Sequence, residues 1–328
     1  MKMSLRGQLA SLTEHNKDNS FATRQDRNNV LFDVVDILKK NFRLESLQNL
    51  KEKHITHIVE EWKISGITNA TIKNRMSHLR WLAEKLNKKN MIPAKNSALG
   101  IANRATDSNT DKSWIPSQEL YANLPEPLQI HVDLMRHFGL RFREAALFRP
   151  KECASTQEID IEKGTKGGRP RSLKFNVLGE DNKQKTVDVH EMSDAQIDVV
   201  SRATEYVHRE NQDCLIPKNV TYKKWEDSTR NTYSVVGMTK DGVGTPHGLR
   251  HHYAQERYRA LTGWKTPAEM STTERSEFRK NMTKEMKAKD ISAKKTISTE
   301  LGHGRVYITS TYVGSWSITK KERDSMAS

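Results

Sequence analysis

The sequence predicts a mainly α protein with a small antiparallel β-sheet, organised as a helical N-terminal domain followed by a larger α+β domain. Three observations carry this. Apolar residues recur at helical spacing over most of the chain, short β-branched stretches cluster in one place only, and the periodicity lapses once over a polar stretch near residue 100. At 328 residues the length suits two domains of ordinary size.

The N-terminal residues 1–20 read as an extension and residues 21–90 as a helical domain. One stripe runs through Leu31, Val34, Val35 and Leu38, and a second through Ile55, Ile58, Val59 and Trp62. The third, Ile72, Met76, Leu79, Ala83 and Leu86, follows a Thr68-Asn69 helix-start signal. Lys73, Arg75 and Arg80 fall off that last stripe and are candidate phosphate contacts, with plain solvation as the alternative. From 91 to 116 the composition turns to Pro93, Asn96, Ser97, Asn103, Thr106, Asp107, Ser108 and Asn109, which reads as a linker.

Residues 117–314 form the second domain. Leu128, Val132, Met135 and Phe138 predict a helix that leads into Gly139-Leu140-Arg141-Phe142-Arg143-Glu144. Strands are expected over Ile159–Glu162, Ser172–Val177 and Thr186–Val189, the first two joined by the glycine-rich turn Lys163–Gly168. Helices resume with Ile197, Val200 and Val207 on one stripe. Residues 263–295 carry charges of both signs and read as a helical or loop insertion, and residues 315–328 as a polar tail.

Composition narrows the partner. Lys and Arg number 55 against 41 Asp and Glu, a formal charge of +14 that favours a polyanion, with nucleic acid first. Cys153 and Cys214 are the two cysteines, too few for a disulfide framework and without the spacing of a zinc site, so a reducing cytoplasm is expected. No run approaches the ~18 apolar residues of a membrane span.

Two motifs suggest chemistry. His247-Gly248-Leu249-Arg250-His251-His252 and Leu301-Gly302-His303 supply histidines and an arginine, and Tyr312 stands nine positions after His303. A phenol with pKa near 10 is only about 0.1% ionised at neutral pH. Attack on a phosphodiester therefore needs a base, cations on the non-bridging oxygens and an acid for the leaving oxygen. Arginine suits those oxygens because its planar fork binds two at once and stays charged. Tyr307 competes with Tyr312 by composition, but as part of Val306-Tyr307-Ile308 it is expected to pack.

These segments resemble the catalytic domain of the tyrosine recombinases, the family that includes phage and mobile-element integrases. Gly139, Leu140, Arg141 and Glu144 match its Gly-Leu-Arg-x-x-Glu motif. His247, Arg250 and His251 match its His-x-x-Arg-His motif, and Leu301, Gly302 and His303 its Leu-Gly-His box. The resemblance covers about Trp114 to Gly314, and residues 21–90 are less specifically similar to the family's core-binding domain. It implies that Arg141 and Arg250 grip the scissile phosphate and that His303 adds a hydrogen bond. His247 assists proton transfer at the nucleophile Tyr312, the hairpin lysine Lys166 protonates the leaving 5′ oxygen, and Glu144 buttresses the arginines. Lys163 on the same turn leaves the lysine assignment open.

The implied function is site-specific recombination of double-stranded DNA through a 3′-phosphotyrosine, without cofactor or metal, for integration and excision of a mobile element. A homo-tetramer on DNA, accessory DNA-bending or directionality factors and a cytoplasmic, nucleoid-associated location go with it. A chromosome or plasmid resolution recombinase, a nicking and resealing topoisomerase and a non-catalytic DNA-binding regulator on the same fold remain as alternatives. Two departures stand out. Arg143 occupies a place where many members carry a small polar residue, and is expected to contact DNA or to pair with an acid. The distance from Arg250 to His303 is longer than usual, and the surplus falls in residues 263–295, expected to add DNA or protomer contacts.

Overall fold

The computed structural model describes residues 3–102, 109–155, 158–175 and 191–318. The chain divides into two compact units, Met1–Thr106 and Asp107–Ser328.

In the first unit α1 (Leu5–Glu14), α2 (Phe21–Phe42), α3 (Glu52–Ile64) and α4 (Asn69–Lys85) surround one core. Ser4, Ser20 and Thr68 each accept a backbone N–H of the first turn of α1, α2 and α4, satisfying a donor that the helix itself leaves open. All three predicted stripes are buried, Leu31, Val34, Val35 and Leu38 completely.

Two expectations need correction here. The expected N-terminal extension is, from residue 3, part of the first unit: α1 packs on α2 through Leu5 and Leu9, and Gln8 donates to the Glu45 carbonyl and accepts from the Leu47 N–H. The expected linker from residue 91 is folded at both of its described ends. Met91, Ile92, Leu99 and Ile101 belong to the first core, while Trp114 packs in the second unit and donates to the Thr245 carbonyl at 2.7 Å. Residues 89–91 and 96–99 are single 3-10 turns, whose apolar residues follow no 3.6-residue period and so carry no pattern to read. Of the linker reading, residues 103–108 lie outside the described residues.

The second unit begins with α5 (Gln118–Ala122), α6 (Glu126–Phe138), α7 (Phe142–Ala146) and α8 (Pro150–Cys153). An antiparallel hairpin follows, β1 (Glu158–Ile161) paired with β2 (Arg171–Lys174) in the register Glu158 to Lys174 and Ile161 to Arg171. After it come α9 (Asp194–Arg209), α10 (Tyr222–Val235), α11 (Pro246–Thr262), α12 (Thr272–Asn281), α13 (Lys284–Glu300) and α14 (Ser310–Val313). Helix α11 is the centre, packed on α6, α13 and α14. It starts with Pro246, whose missing N–H costs nothing at a first helical position.

The mainly α architecture with a two-stranded antiparallel sheet agrees with the sequence. Residues 176–177 of the second predicted strand and the third predicted strand, 186–189, lie outside the described residues. The predicted stripe on α9 holds at Val207, which is buried, and Val200, which packs against the core, but the first turn is rotated: Ile197 is exposed, and Gln196, Val199, Ala203 and Tyr206 also face inward. A capping box between Ser193 and Gln196 fixes this rotation, and the Gln196 amide donates to the His137 carbonyl at 2.8 Å.

Candidate active site

Helix α6 ends at Gly139 with φ 60, and a Cβ there would lie 2.5 Å from the Tyr253 ring, so glycine alone fits this turn. The turn delivers Arg141 to the N-cap of α7. Glu144, three residues on, accepts the Arg141 backbone N–H at 2.7 Å and its Nη1 at 2.6 Å. Arg171, at the start of β2, completes the set with two parallel bonds to the same carboxylate, at 2.6 and 2.9 Å, and a third to the Glu300 carbonyl. Glu144 is fully buried. Burial by itself raises a carboxyl pKa, but the bonds and charges of Arg171 and then Arg141 outweigh it and hold Glu144 below the usual carboxylate range.

Arg250 enters from α11 and is also fully buried. Its guanidinium donates to the carbonyls of Gly139 and Leu301, its Nε to the Tyr312 hydroxyl at 3.3 Å, and its Nη2 lies 3.4 Å from His303 Nε2. A neutral His303 accepting there carries its proton on Nδ1. The Leu301 carbonyl, at the C-terminal end of α13, also accepts from Arg141 at 3.1 Å, so one acceptor registers both arginines. Gly302, φ 65, turns the chain beneath the Arg171 side chain, and the His303 N–H returns to the Ser298 carbonyl at 2.8 Å.

The short helix α14 then carries Tyr312 into a cage. Its ring lies 4.6 Å from that of His251, 5.3 Å from His303 and 5.6 Å from His247, with the Arg250 guanidinium carbon 5.6 Å from the ring centre. Tyr307 is elsewhere and is not packed as expected. It is exposed on a 3-10 turn, its hydroxyl accepting from Arg305. The turn buries Thr309 and packs Ile308 on the core beside Tyr312, which leaves Val306 and Tyr307 on its outer side.

The structure thus brings Arg141, Glu144, His247, Arg250, His303 and Tyr312 together. Lys166 sits exposed on the hairpin turn, close enough that its charge is felt at His303. Arg171 and His251 are the additions. Nothing in the sequence singles out Arg171, whose partner Glu144 lies 27 residues away. His251 belongs to the His-x-x-Arg-His motif, and its place against the Tyr312 ring, 4.6 Å away, is not readable from the motif alone.

The candidate DNA contacts fare differently. Arg80 donates to the Pro93 carbonyl and to Asn96 Oδ1, pinning the 3-10 segment of its own unit. Arg75 stacks over Trp62 and Lys73 is half-buried. Arg143 is exposed over the ring of Tyr222 at 4.7 Å, a cation–π contact rather than a pairing with an acid, which leaves the alternative of a DNA contact open.

Electrostatics make the histidines neutral. Desolvation, then the charges of Arg250 and Arg141, lower His247 to about 4 and His303 to about 3. Desolvation and then His247 lower His251 to about 4, and desolvation lowers the buried His131 to about 4. Each folded value lies below the ~6.5 of an unfolded histidine, so the unfolded chain binds more protons between those limits. The stabilisation is complete above about pH 6.5 and is lost as the pH falls towards 4. Urea midpoints are therefore expected to decrease from pH 7 to pH 5, and less so in His303→Asn; a midpoint that rises over this range contradicts the assignment.

Three cations face one carboxylate around an enclosed phenol: Arg141, Arg171 and Arg250 against Glu144. Such an arrangement holds a surplus of positive charge for an anion that reaches Tyr312.

Residues 2–92 match the protein family described as "Phage integrase, N-terminal", and residues 117–256 the one described as "Integrase". Together they span more than two thirds of the chain, the second ending before Leu301–Tyr312. No curated protein matches by sequence. Among solved structures, the Tn1549 transposon integrase in complex with circular intermediate DNA is similar at 13% identity and a TM-score of 0.54, covering 99% of both chains. A lambda integrase dimer bound to a COC′ core site is similar at 14% identity and a TM-score of 0.55, over 97% of this chain and 99% of that one. A lambda integrase tetramer bound to a Holliday junction gives 13% and 0.54, over 97% and 79%.

Proposed function

Since this chain belongs to the integrase family of tyrosine recombinases, we propose that it cuts and rejoins double-stranded DNA through a 3′-phosphotyrosine on Tyr312, for the integration and excision of a mobile element. The observation that carries the reading is the bond from Arg250 Nε to the Tyr312 hydroxyl inside a cluster of cations. A phosphate oxygen taken up by the same arginine edge becomes the immediate neighbour of the phenol oxygen.

In the step proposed, the Tyr312 oxygen forms a bond to phosphorus as the bond to the 5′ oxygen breaks. The phenol proton passes to His247, which is neutral and able to accept it. Arg141 and Arg250 hold the non-bridging oxygens, and Glu144, itself gripped by Arg171, holds Arg141. His303 is depressed by burial and then by the arginine charges; phosphate charge offsets the second of these, and the ring donates a further hydrogen bond to the phosphate. Lys166 gives its proton to the leaving 5′ oxygen. One phosphoester replaces another, so the reverse attack by a 5′-hydroxyl rejoins DNA without an energy source.

The DNA complexes of the Tn1549 and lambda integrases support a DNA partner, and the lambda tetramer on a Holliday junction supports assembly of several protomers. Accessory DNA-bending or directionality proteins and a nucleoid-associated location belong to the same reading. Among the described residues no helix is long and apolar enough to cross a membrane.

Two labelled duplexes that carry the ends of the element encoding the chain test the function. With EDTA present, recombinant duplexes joining the two labels are expected. Relaxation of supercoils without exchange points to a topoisomerase instead, and binding without any cleavage to a regulator.

The lysine has its own test. Lys166→Ala is expected to slow cleavage about a hundredfold or more, the usual scale of general acid catalysis. A sulfur in place of the bridging 5′ oxygen leaves readily without a proton and should restore the rate. Loss in Lys163→Ala with Lys166→Ala unaffected would move the role to the other lysine.

A further inference from the structure

Residues 263–295 fold against the chain that follows the nucleophile. Gly263, φ 86, closes α11, and the turn after it is fixed by Thr266, whose N–H and hydroxyl both donate to Glu269 at 2.8 Å. From this turn the Ala268 N–H donates to the Val313 carbonyl at 3.0 Å. Gly314, φ 82, lies so close that a Cβ would stand 2.5 Å from the Ala268 nitrogen.

Two residues further on, Trp316 is seated in a box. Its ring stacks on Phe278 of α12 at 4.8 Å and 12°. Its Nε1 donates at 2.9 Å to Asp290 Oδ1, which also accepts from the Tyr258 hydroxyl at 2.6 Å, while Lys294 pairs with the same carboxylate at 3.0 Å. Trp264 closes the side, donating to the Tyr258 hydroxyl at 3.2 Å. The buried Asp290 is thus fully partnered, and Trp316 supplies one of its bonds. Residues 284–295 themselves are the first turns of α13, which packs on α11.

Helix α14 has four residues, Ser310–Val313, and a helix so short does not hold itself together in water. The place of Tyr312 therefore depends on what grips the chain on either side. We infer that residues 264–290 form a clasp in cis on the segment 313–316, and that Trp316 and its seat on Phe278 and Asp290 are positioning residues for Tyr312. The inference rests on the reading of Tyr312 as the nucleophile. It gives the stretch a role beyond extra DNA or protomer contacts.

The test is the rate at which the full-length protein becomes covalently attached to a nicked duplex spanning the joined ends of its element, with the affinity for that duplex measured alongside. Trp316→Ala is expected to react about ten to a hundred times more slowly, the scale of a small misplacement of a reacting group, with affinity unchanged. Trp316→Phe, which keeps the stack, should recover most of the rate. Phe278→Leu, which keeps the apolar burial and removes the stack, should repeat the loss if the alanine variant does not fold. Wild-type or faster attachment in both Trp316→Ala and Phe278→Leu overturns the clasp. Attachment that persists in Tyr312→Phe removes the nucleophile reading instead, so the two failures are distinct.

Discussion

Replacing Arg250 with alanine is expected to lower the rate of DNA cleavage by about three orders of magnitude or more, since each preorganised donor to a developing oxyanion is worth about a hundred- to a thousandfold. Arg250 offers more than one. It is fully buried, and in the free protein its donors go to Gly139 O, Leu301 O, Tyr312 Oη and His303 Nε2. Its loss removes the edge on which phosphate and phenol meet, and it leaves the buried Gly139 carbonyl without its donor, at about 1–3 kcal/mol, while the Leu301 carbonyl keeps its bond from Arg141. Cleavage and stability should fall together, so the variant is to be assayed below its unfolding midpoint and for duplex binding. Binding spread over many phosphates should persist, and should weaken steeply with salt. Cleavage in Arg250→Ala at close to the wild-type rate contradicts the site as drawn.

Glu144→Ala is expected to destabilise the second unit by about 3–5 kcal/mol, the cost of leaving buried charges without their partner. Arg141, Arg171 and Arg250 all face this one carboxylate, and the last two are almost wholly enclosed. Without Glu144 three cations repel one another in a dry site. Glu144→Gln keeps much of the hydrogen bonding and loses the charge, so it should fall between. Because a bound phosphate also neutralises the arginines, DNA is expected to restore part of the lost stability, more in Glu144→Ala than in wild type. Urea unfolding with and without duplex measures both effects; equal midpoints for wild type and Glu144→Ala contradict the buttress.

The site residues that the sequence shows best are those that one backbone turn presents together. Gly139 to Glu144 is such a turn, with a left-handed glycine, an N-capping arginine and a carboxylate three residues later closing the box. His247, Arg250 and His251 are adjacent on one helix, and His303 and Tyr312 flank a short loop. Spacing encodes all of these. Arg171 is invisible because α8, β1 and the hairpin turn separate it in sequence from Glu144, and the aromatic box of Trp264, Phe278 and Trp316 is invisible because three separate segments build it. The helical stripes of the first unit were legible from their period, whereas α1 and the turns at 89–101 were not. A short helix with two buried leucines and two 3-10 turns offers too little repetition. On α9 the stripe holds at Val200 and Val207 and fails at Ile197, because a polar residue, Gln196, takes the inward position at the start of the helix through its bond to His137.

Formation of a covalent protein–DNA adduct on a nicked suicide duplex, followed by identification of the attached residue, tests the central claim most directly. Wild-type protein is predicted to form a 3′-linked adduct in the presence of EDTA, with the DNA attached at Tyr312, and Tyr312→Phe is predicted to form none. An adduct that survives in Tyr312→Phe and vanishes in Tyr307→Phe would contradict the account.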